Sequence, residues 1–325
     1  MKLSKIFKKH STENFKKIAF QIFQYQVDNN KIYAKYLNYL KVDPKSIRQL
    51  SQIPFLPIEF FKSQKIVSSN QLIEQVFLSS GTTGSIQSKH YVSDLNMYKN
   101  SFTKGFEYFY GKIENYTILA LLPNYLERKG SSLIYMVDEL IKKSNSSESG
   151  FYLDNLEKLS QKLIELDRNN KKVLLIGVSY ALLNLIEYQK FHLKNTIIME
   201  TGGMKGKRKE MIREELHQIL CDGFEVEEIH SEYGMTELLS QAYSRGKGIF
   251  ETPSWMKIFI RDTEDALTIL PHNKTGGLNI IDLANINSCS FIATQDLGKT
   301  FEDGKFEILG RFDHSDIRGC NLMVV

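Results

Sequence analysis

Apolar residues recur at helical spacing over residues 12–40. Phe15, Ile18, Ala19, Ile22, Phe23 and Val27 fall on one side, with Lys16, Lys17, Gln24 and Gln26 between them. The next stretch, IPFLPIEFFKS (53–63), is apolar but carries Pro54 and Pro57. Those residues forbid a regular helix and predict an extended, buried connector. From residue 117 the pattern alternates between short apolar runs and helical periods. TILALL (117–122), VLLIGV (173–178), TIIME (196–200) and FEVEEI (224–229) read as strands. SSLIYMVDELIKK (131–143), LEKLSQKLIEL (156–166), YALLNLIEYQKF (180–191) and KRKEMIREELHQIL (207–220) read as helices. This alternation predicts an α/β fold, a parallel sheet with helices on its faces. Beyond about residue 248 the texture changes. WMKIFI, ALTIL, GLNIIDL, SFIAT and KFEIL are short strand-like runs separated by Gly, Asn and Asp, and they predict a small antiparallel β subdomain packed on the rest.

Composition narrows the class. The chain has 325 residues, 42% hydrophobic content and a formal net charge of +4. That is enough for a large core. The mild, diffuse basic balance suits a small anionic substrate and does not argue for nucleic acid. The densest basic run, KGKRK (205–209), reads as a solvated helix start. Three cysteines, Cys221, Cys289 and Cys320, show neither metal-ligand nor paired spacing, which fits free thiols in a reducing compartment. The N-terminus lacks an apolar signal-peptide core, and no apolar stretch reaches the ~20 residues that span a bilayer. The expectation is a cytoplasmic protein.

Ligands of α/β sheets bind beyond the carboxyl ends of the strands, so the glycine-containing turns there are the candidate sites. SSGTTGS (79–85) is bare enough for its backbone to approach a phosphate, although it is not a Walker A loop. METGGMKGK (199–207) joins a strand to a helix, and its glycines would admit a flat ring. HSEYGMTELLSQ (230–241) combines an aromatic ring (Tyr233), a hydroxyl (Thr236) and a carboxylate (Glu237). Those are the groups that stack a base, hold a phosphate oxygen and ligate Mg²⁺. Trp255 reads as core. His230 reads equally as an acyl-pocket residue or a core histidine.

SSGTTG is followed about 150 residues later by YGMTE, then TQDLG (294–298), then GRFD (310–313). This order resembles the motif set of the adenylate-forming superfamily of acyl- and aryl-CoA ligases, peptide-synthetase adenylation domains and firefly-type luciferases. Within it, IPFLPIEFFKS, SSGTTGSIQSKH, EYGMTELLSQAY and GRFDHSDIRGCNL most resemble the acyl-protein synthetases of bacterial bioluminescence (LuxE). The resemblance implies that Ser80, Gly81, Thr82, Thr83 and Gly84 wrap the ATP phosphates. It implies that Gly202 and Gly203 flank the adenine and that Tyr233 stacks on it. Thr236 would bond the α-phosphate, Glu237 would hold Mg²⁺ and Asp296 would bind the ribose. Arg311 would reach ribose or phosphate, with Asp313 at the hinge. Lys89 follows Gly84 by five residues with no preceding proline, unlike the superfamily's usual Pro-Lys pair, while His90 fits the acyl-protein synthetase pattern.

The implied architecture is the N-terminal domain of an adenylate-forming enzyme. An α/β part (1–247) and a β subdomain (248–310) form one unit, followed by a short tail (311–325). Only 14 residues follow Arg311 and none is a lysine, so the superfamily's mobile C-terminal domain is essentially absent. The implied activity is ATP- and Mg²⁺-dependent activation of a carboxylic acid, of the fatty class, to an acyl-adenylate. Transfer to the thiol of Cys320 would follow, with delivery to a reductase or acyl carrier. In the family, a cysteine near the C-terminus accepts the acyl group, and RGCNL matches that pattern. Cys221 and Cys289 read as structural. Two alternatives stand beside this expectation: an acyl- or aryl-CoA ligase, and a non-catalytic nucleotide-binding scaffold.

Overall fold

A computed structural model describes residues 6–68, 70–80, 86–122, 130–153, 155–202, 208 and 211–312. The N-terminal helical pattern forms two helices, α1 (Thr12–Asn29) and α2 (Lys31–Tyr39). The break is Asn30. Its side chain accepts hydrogen bonds from the Ile32 and Tyr33 N–H groups, capping α2, while its Nδ2 donates to Ser68 Oγ and the Ser288 carbonyl. The proline-bearing connector supplies β1 (Leu56–Pro57), as its extended reading requires, but then turns into α3 (Phe60–Ser63). The helix becomes available only beyond Pro57, where no proline restricts the backbone.

Next come an antiparallel ribbon of β2 (Gln75–Leu78) and β3 (Lys89–Val92), then α4 (Leu95–Tyr110). The expected alternation follows as β4 (Thr117–Leu121), α5 (Ser132–Lys143), β5 (Gly150–Phe151), α6 (Leu156–Arg168), β6 (Val173–Gly177), α7 (Ser179–Tyr188), β7 (Thr196–Thr201), α8 (Arg213–Phe224) and β8 (His230–Tyr233). The last segments are strands: β9 (Ala242–Ser244), β10 (Ile249–Glu251), β11 (Met256–Arg261), β12 (Ile269–Leu270), β13 (Gly276–Asp282), β14 (Phe291–Thr300) and β15 (Phe306–Arg311).

These strands join one sheet in the order β12-β11-β13-β14-β15-β10-β9-β8-β7-β6-β4-β5, with β1 pairing parallel to β14. The run β5-β4-β6-β7-β8 is parallel, and from β8 onward the main path is antiparallel. The antiparallel portion therefore continues the parallel one rather than standing apart. β4 and β6 are buried along their whole length, as central parallel strands covered on both faces must be.

Two boundaries depart from the sequence pattern. Of the expected strand 224–229, Phe224 ends a helix and 225–229 form a connector, so β8 starts only at His230. Of the expected helix 207–220, residues 207, 209 and 210 lie outside the described residues, and the helix observed runs as Arg213–Phe224. Phe224 is the buried last residue of α8, and Glu225 caps the helix in the left-handed region at φ 52°. The Gly223 and Phe224 carbonyls accept from the Phe191 and Leu193 N–H groups, which ties this end down. Gly223 is required there because a Cβ would lie 2.6 Å from Ile186 Cβ, so α8 seats on α7 only without a side chain. Gly223→Ala is expected to cost about 1–3 kcal/mol of stability. The loss should appear as a lower urea-unfolding midpoint, and Ile186→Ala should not restore it because alanine keeps the clashing Cβ.

Candidate active site

The site is built on the turn between β8 and β9, at the edge where the sheet changes from parallel to antiparallel. Main-chain atoms of this turn are gripped from three sides. Asp282, at the end of β13, is fully buried. Its Oδ2 accepts from the Leu239 and Ser240 N–H groups at 2.8 and 3.0 Å, and its Oδ1 accepts from Ser240 Oγ at 2.6 Å and Ala284 N–H at 3.1 Å. Burial pushes the Asp282 carboxyl up despite these donors. Trp255, buried as expected, donates its indole N–H to Ser240 Oγ at 3.1 Å. Asn285 Nδ2 donates to the Glu237 carbonyl at 2.7 Å.

The third grip is His90. Its Nδ1 lies 2.8 Å from the Thr236 carbonyl and its Nε2 lies 3.1 Å from Asn285 Oδ1. Both partners are acceptors and favour a protonated ring. Burial opposes the charge and wins, so the pKa is pulled down to about 4 and the ring is neutral at pH 7. His90 therefore orders the turn from β3. Lys89, its neighbour, is exposed on the other side of the ribbon, so the two expected catalytic residues point apart.

The same ribbon brings Ser79 and Ser88, at the base of the hydroxyl-rich segment, towards the turn. Ser79 N–H donates to the Ser88 carbonyl at 3.1 Å, and Ser88 N–H donates to Ser79 Oγ at 2.9 Å, closing the loop at its base. The Ser88 side chain faces the Glu237 carboxyl and favours its charged form. Glu237 is buried, and burial pushes its carboxyl up against that effect and the Arg311 charge. Ser80 is exposed at the loop base, and Thr236 is half-buried. Gly81, Thr82, Thr83 and Gly84 lie outside the described residues, as do Gly203, Asp313 and Cys320.

A second chain of contacts joins three more of the expected residues. The Tyr233 hydroxyl donates to Asp296 Oδ2 at 2.7 Å, and Arg311 Nε donates to Asp296 Oδ1 at 3.0 Å. Asp296 and Arg311 are register partners across β14 and β15. Phe250 and Phe306 meet the Tyr233 ring edge-on, at centroid distances of 6.1 and 5.9 Å. Gly202 follows β7, exposed and in the left-handed region at φ 65°, and its carbonyl accepts from Ser179 Oγ at 2.7 Å.

Three residues at this edge escaped the sequence reading: Asp282, Asn285 and Glu200. Glu200 is buried at the end of β7, with Arg213 Nε at 3.5 Å and His217 Nε2 at 3.6 Å. Burial pushes its carboxyl up, but the nearby His217 ring and the Arg213 charge outweigh this and hold it below the ordinary range. His230 is half-buried against the Tyr110 hydroxyl at 3.1 Å, and burial draws its pKa down to about 4. Burial also pushes the Cys289 thiol up to about 12, and that of Cys221 above its usual value, so neither is a ready nucleophile.

The model for "Acyl-protein synthetase, LuxE" matches residues 4–325. The chain belongs to this family. It is 24% identical over 323 residues to the long-chain-fatty-acid–luciferin-component ligase of Vibrio harveyi, covering 92% of this chain and 84% of that protein. Among solved structures it resembles 2-hydroxyisobutyryl-CoA ligase bound to 2-HIB-AMP and CoA. That match has a TM-score of 0.68 and 12% identity, covering 93% of this chain and 70% of that one. It also resembles ATP-bound MatB from Rhodopseudomonas palustris, with a TM-score of 0.54 and 17% identity over 74% of this chain. The family member described here spans about half of MatB, 48% of its length. Among the described residues no helix is long and apolar enough to cross a membrane.

The neutral state of His90 has a consequence for stability. Its folded pKa of about 4 lies below the ordinary 6.5, so the unfolded chain binds the proton first as pH falls. The stability it contributes is complete above pH 6.5 and is lost towards pH 4, by roughly 3 kcal/mol. Thermal midpoints measured between pH 7 and pH 4.5 should fall in this window, and His90→Asn should flatten the fall.

Proposed function

We propose that this LuxE-family chain uses ATP to activate a carboxylic acid as its acyl-adenylate and then accepts the acyl group on its own Cys320. The single observation that carries the reading is the meeting of two sequence-distant motifs. The base of the hydroxyl-rich loop reaches the Tyr233–Glu237 turn through Ser88 and His90. A triphosphate held by the loop would lie beside the Thr236 hydroxyl, while the Tyr233–Asp296–Arg311 chain offers a tyrosine, a carboxylate and a guanidinium to the nucleoside. The names of the relatives support ATP and an acid as substrates. The ATP-bound and acyl-AMP-bound neighbours share the fold.

The residues present fit a magnesium ion. Among the described residues no group of three or more His, Cys, Asp or Glu converges on one point, but magnesium on a nucleotide takes one or two carboxylates and completes its shell with phosphate and water. Glu237 would supply the carboxylate, with the Thr236 hydroxyl beside it. The ion would neutralise phosphate charge.

In the first step a carboxylate oxygen of the acid attacks the α-phosphorus of ATP. A P–O bond forms, the α–β anhydride bond breaks and pyrophosphate leaves. The chain's part is positioning and charge compensation. In the second step the Cys320 thiolate attacks the acyl carbon, the C–O bond to phosphate breaks and AMP leaves. The thioester would pass to a reductase or acyl carrier, and a long-chain acid is the class suggested by the Vibrio harveyi relative. Cys320 is the remaining cysteine once the raised thiols of Cys221 and Cys289 are set aside.

Carboxylate-dependent ATP–pyrophosphate exchange tests the first step, and Glu237→Gln should lower it roughly 10²-fold or more without unfolding the chain. Acyl labelling tests the second. Cys320→Ala should keep exchange and lose a hydroxylamine-labile label that Cys289→Ser retains. Stoichiometric release of acyl-CoA in place of that label would replace this reading with the CoA-ligase one.

A further inference from the structure

Arg213 opens α8 beside the face of the sheet that carries Tyr233, and no step of the reaction above uses it. Its side chain makes contacts with three different strands. Nε lies 3.5 Å from Glu200 Oε1, on β7. Nη1 donates to the Ile308 carbonyl of β15 at 3.0 Å. The guanidinium carbon sits 5.1 Å from the centre of the Phe250 ring, on β10. Gly248 leaves room for this crossing, since a Cβ there would come within 3.0 Å of Arg213 Cδ. A planar guanidinium can stack on a ring and donate in two directions at once, whereas an ammonium is a point charge on a flexible stem.

Each contact leads towards a residue assigned above to the nucleotide. Glu200 and Ser231 are register partners, and Tyr233 follows Ser231 by two residues, so Glu200 and Tyr233 share one face. Glu200 lies two residues before Gly202. Ser179 Oγ, 3.5 Å from Glu200 Oε2, donates to the Gly202 carbonyl at 2.7 Å. Phe250 meets the Tyr233 ring edge-on at 6.1 Å and packs on Phe306 at 5.4 Å. Ile308 lies on β15 three residues before Arg311, whose Nε donates to Asp296. One side chain thus ties the strand end leading to Gly202 to the Tyr233–Asp296–Arg311 chain. The Arg213 and Glu200 side chains are only 26% and 7% exposed, so water screens their attraction far less than that of a surface pair.

We propose that Arg213 is a positioning residue for ATP. It acts through Phe250, Ile308 and Glu200, and it fixes the spacing between the Gly202 turn and the Tyr233–Asp296–Arg311 chain before the nucleotide arrives. Fixing that spacing in advance removes an ordering cost that ATP binding would otherwise bear. This rests on the adenylation reading above and adds to it a residue that acts through others.

The test is pyrophosphate exchange on the full chain, with ATP and a long-chain acid varied separately, alongside thermal midpoints with and without Mg·ATP. Arg213→Met should raise the KM for ATP by about 10-fold or more, while kcat and the KM for the acid stay within about twofold. The gain in midpoint from Mg·ATP should shrink in the same variant. Arg213→Lys keeps the charge but loses the fork and the stacked plane, so it should lie closer to Arg213→Met than to the wild type. Phe250→Leu should also raise the KM for ATP, and the double variant should be little worse than the worse single one, because the two residues act in series. Should Arg213→Met fail to fold, Arg213→Lys and Phe250→Leu carry the same comparison. A purely structural arginine would lower the ligand-free midpoint and leave the KM for ATP unchanged, which overturns the proposal. So does a rise of equal size in both KM values. Fold-changes that multiply in the double variant would mean that Arg213 meets the nucleotide itself, and they overturn a positioning role. A wild type without acid-dependent exchange overturns the adenylation reading instead. The midpoints then still decide the proposal, which falls if Arg213→Met keeps the whole gain from Mg·ATP.

Discussion

The candidate site depends on one buried carboxylate, Asp282, which holds a turn from another part of the chain. A charge at zero exposure is costly unless its lone pairs are taken, and here four donors from residues 239, 240 and 284 take them. Ser240, one of the donors, also receives the Trp255 indole N–H, so the clamp is continuous with the aromatic core. His90 and Asn285 add main-chain grips at Thr236 and Glu237. All three hold backbone carbonyls, N–H groups or Ser240. The Thr236 hydroxyl is left out of the clamp, and the Glu237 carboxyl meets Ser88 instead.

The sheet supplies the second constraint. β8 pairs parallel to β7 and antiparallel to β9, so the chain leaving β8 must reverse direction within a few residues. The β8–β9 turn is that reversal. Alternation along β8 sends Glu232 and Tyr233 to opposite faces, which gives one short strand access to two chemically different sides. A hydrogen-bonded Tyr–Asp–Arg chain lies on one side, and Glu232 with its Thr201 donor lies on the other.

Buried acids near this edge are compensated in different ways. Glu200 has the Arg213 guanidinium and the His217 ring as neighbours, and its carboxyl is held below the ordinary range. Asp282 has only neutral donors, and Glu237 has chiefly Ser88 with a more distant Arg311, so burial leaves both raised. A raised carboxyl gains from an arriving cation, whereas one already paired with Arg does not. That difference separates Glu237 from Glu200 as a metal-binding candidate, although the two share residue type and burial.

Much of this was legible in the sequence because it depends on local period and local chemistry. Uninterrupted apolar runs marked β4 and β6, and helical spacing marked α5, α6 and most of α7. Motif order pointed to Tyr233, Thr236, Glu237, Asp296 and Arg311, and contacts join Tyr233, Asp296 and Arg311 directly. Local pattern failed where distant packing decides. Phe224 resembles the start of a strand but ends a helix, because Gly223 lets α8 close on α7 and distant N–H groups occupy its carbonyls. Asp282 and Asn285 sit in a segment with no motif of its own, and their partners in the turn lie more than forty residues away. The sequence by itself determined the order of elements and the chemical types gathered at the candidate site, since both follow from neighbours along the chain. Only the tertiary structure decided that His90 orders the turn while Lys89 faces away, and that Arg213 joins Glu200 to Ile308 and Phe250, because those facts belong to pairings between segments that no local spacing encodes.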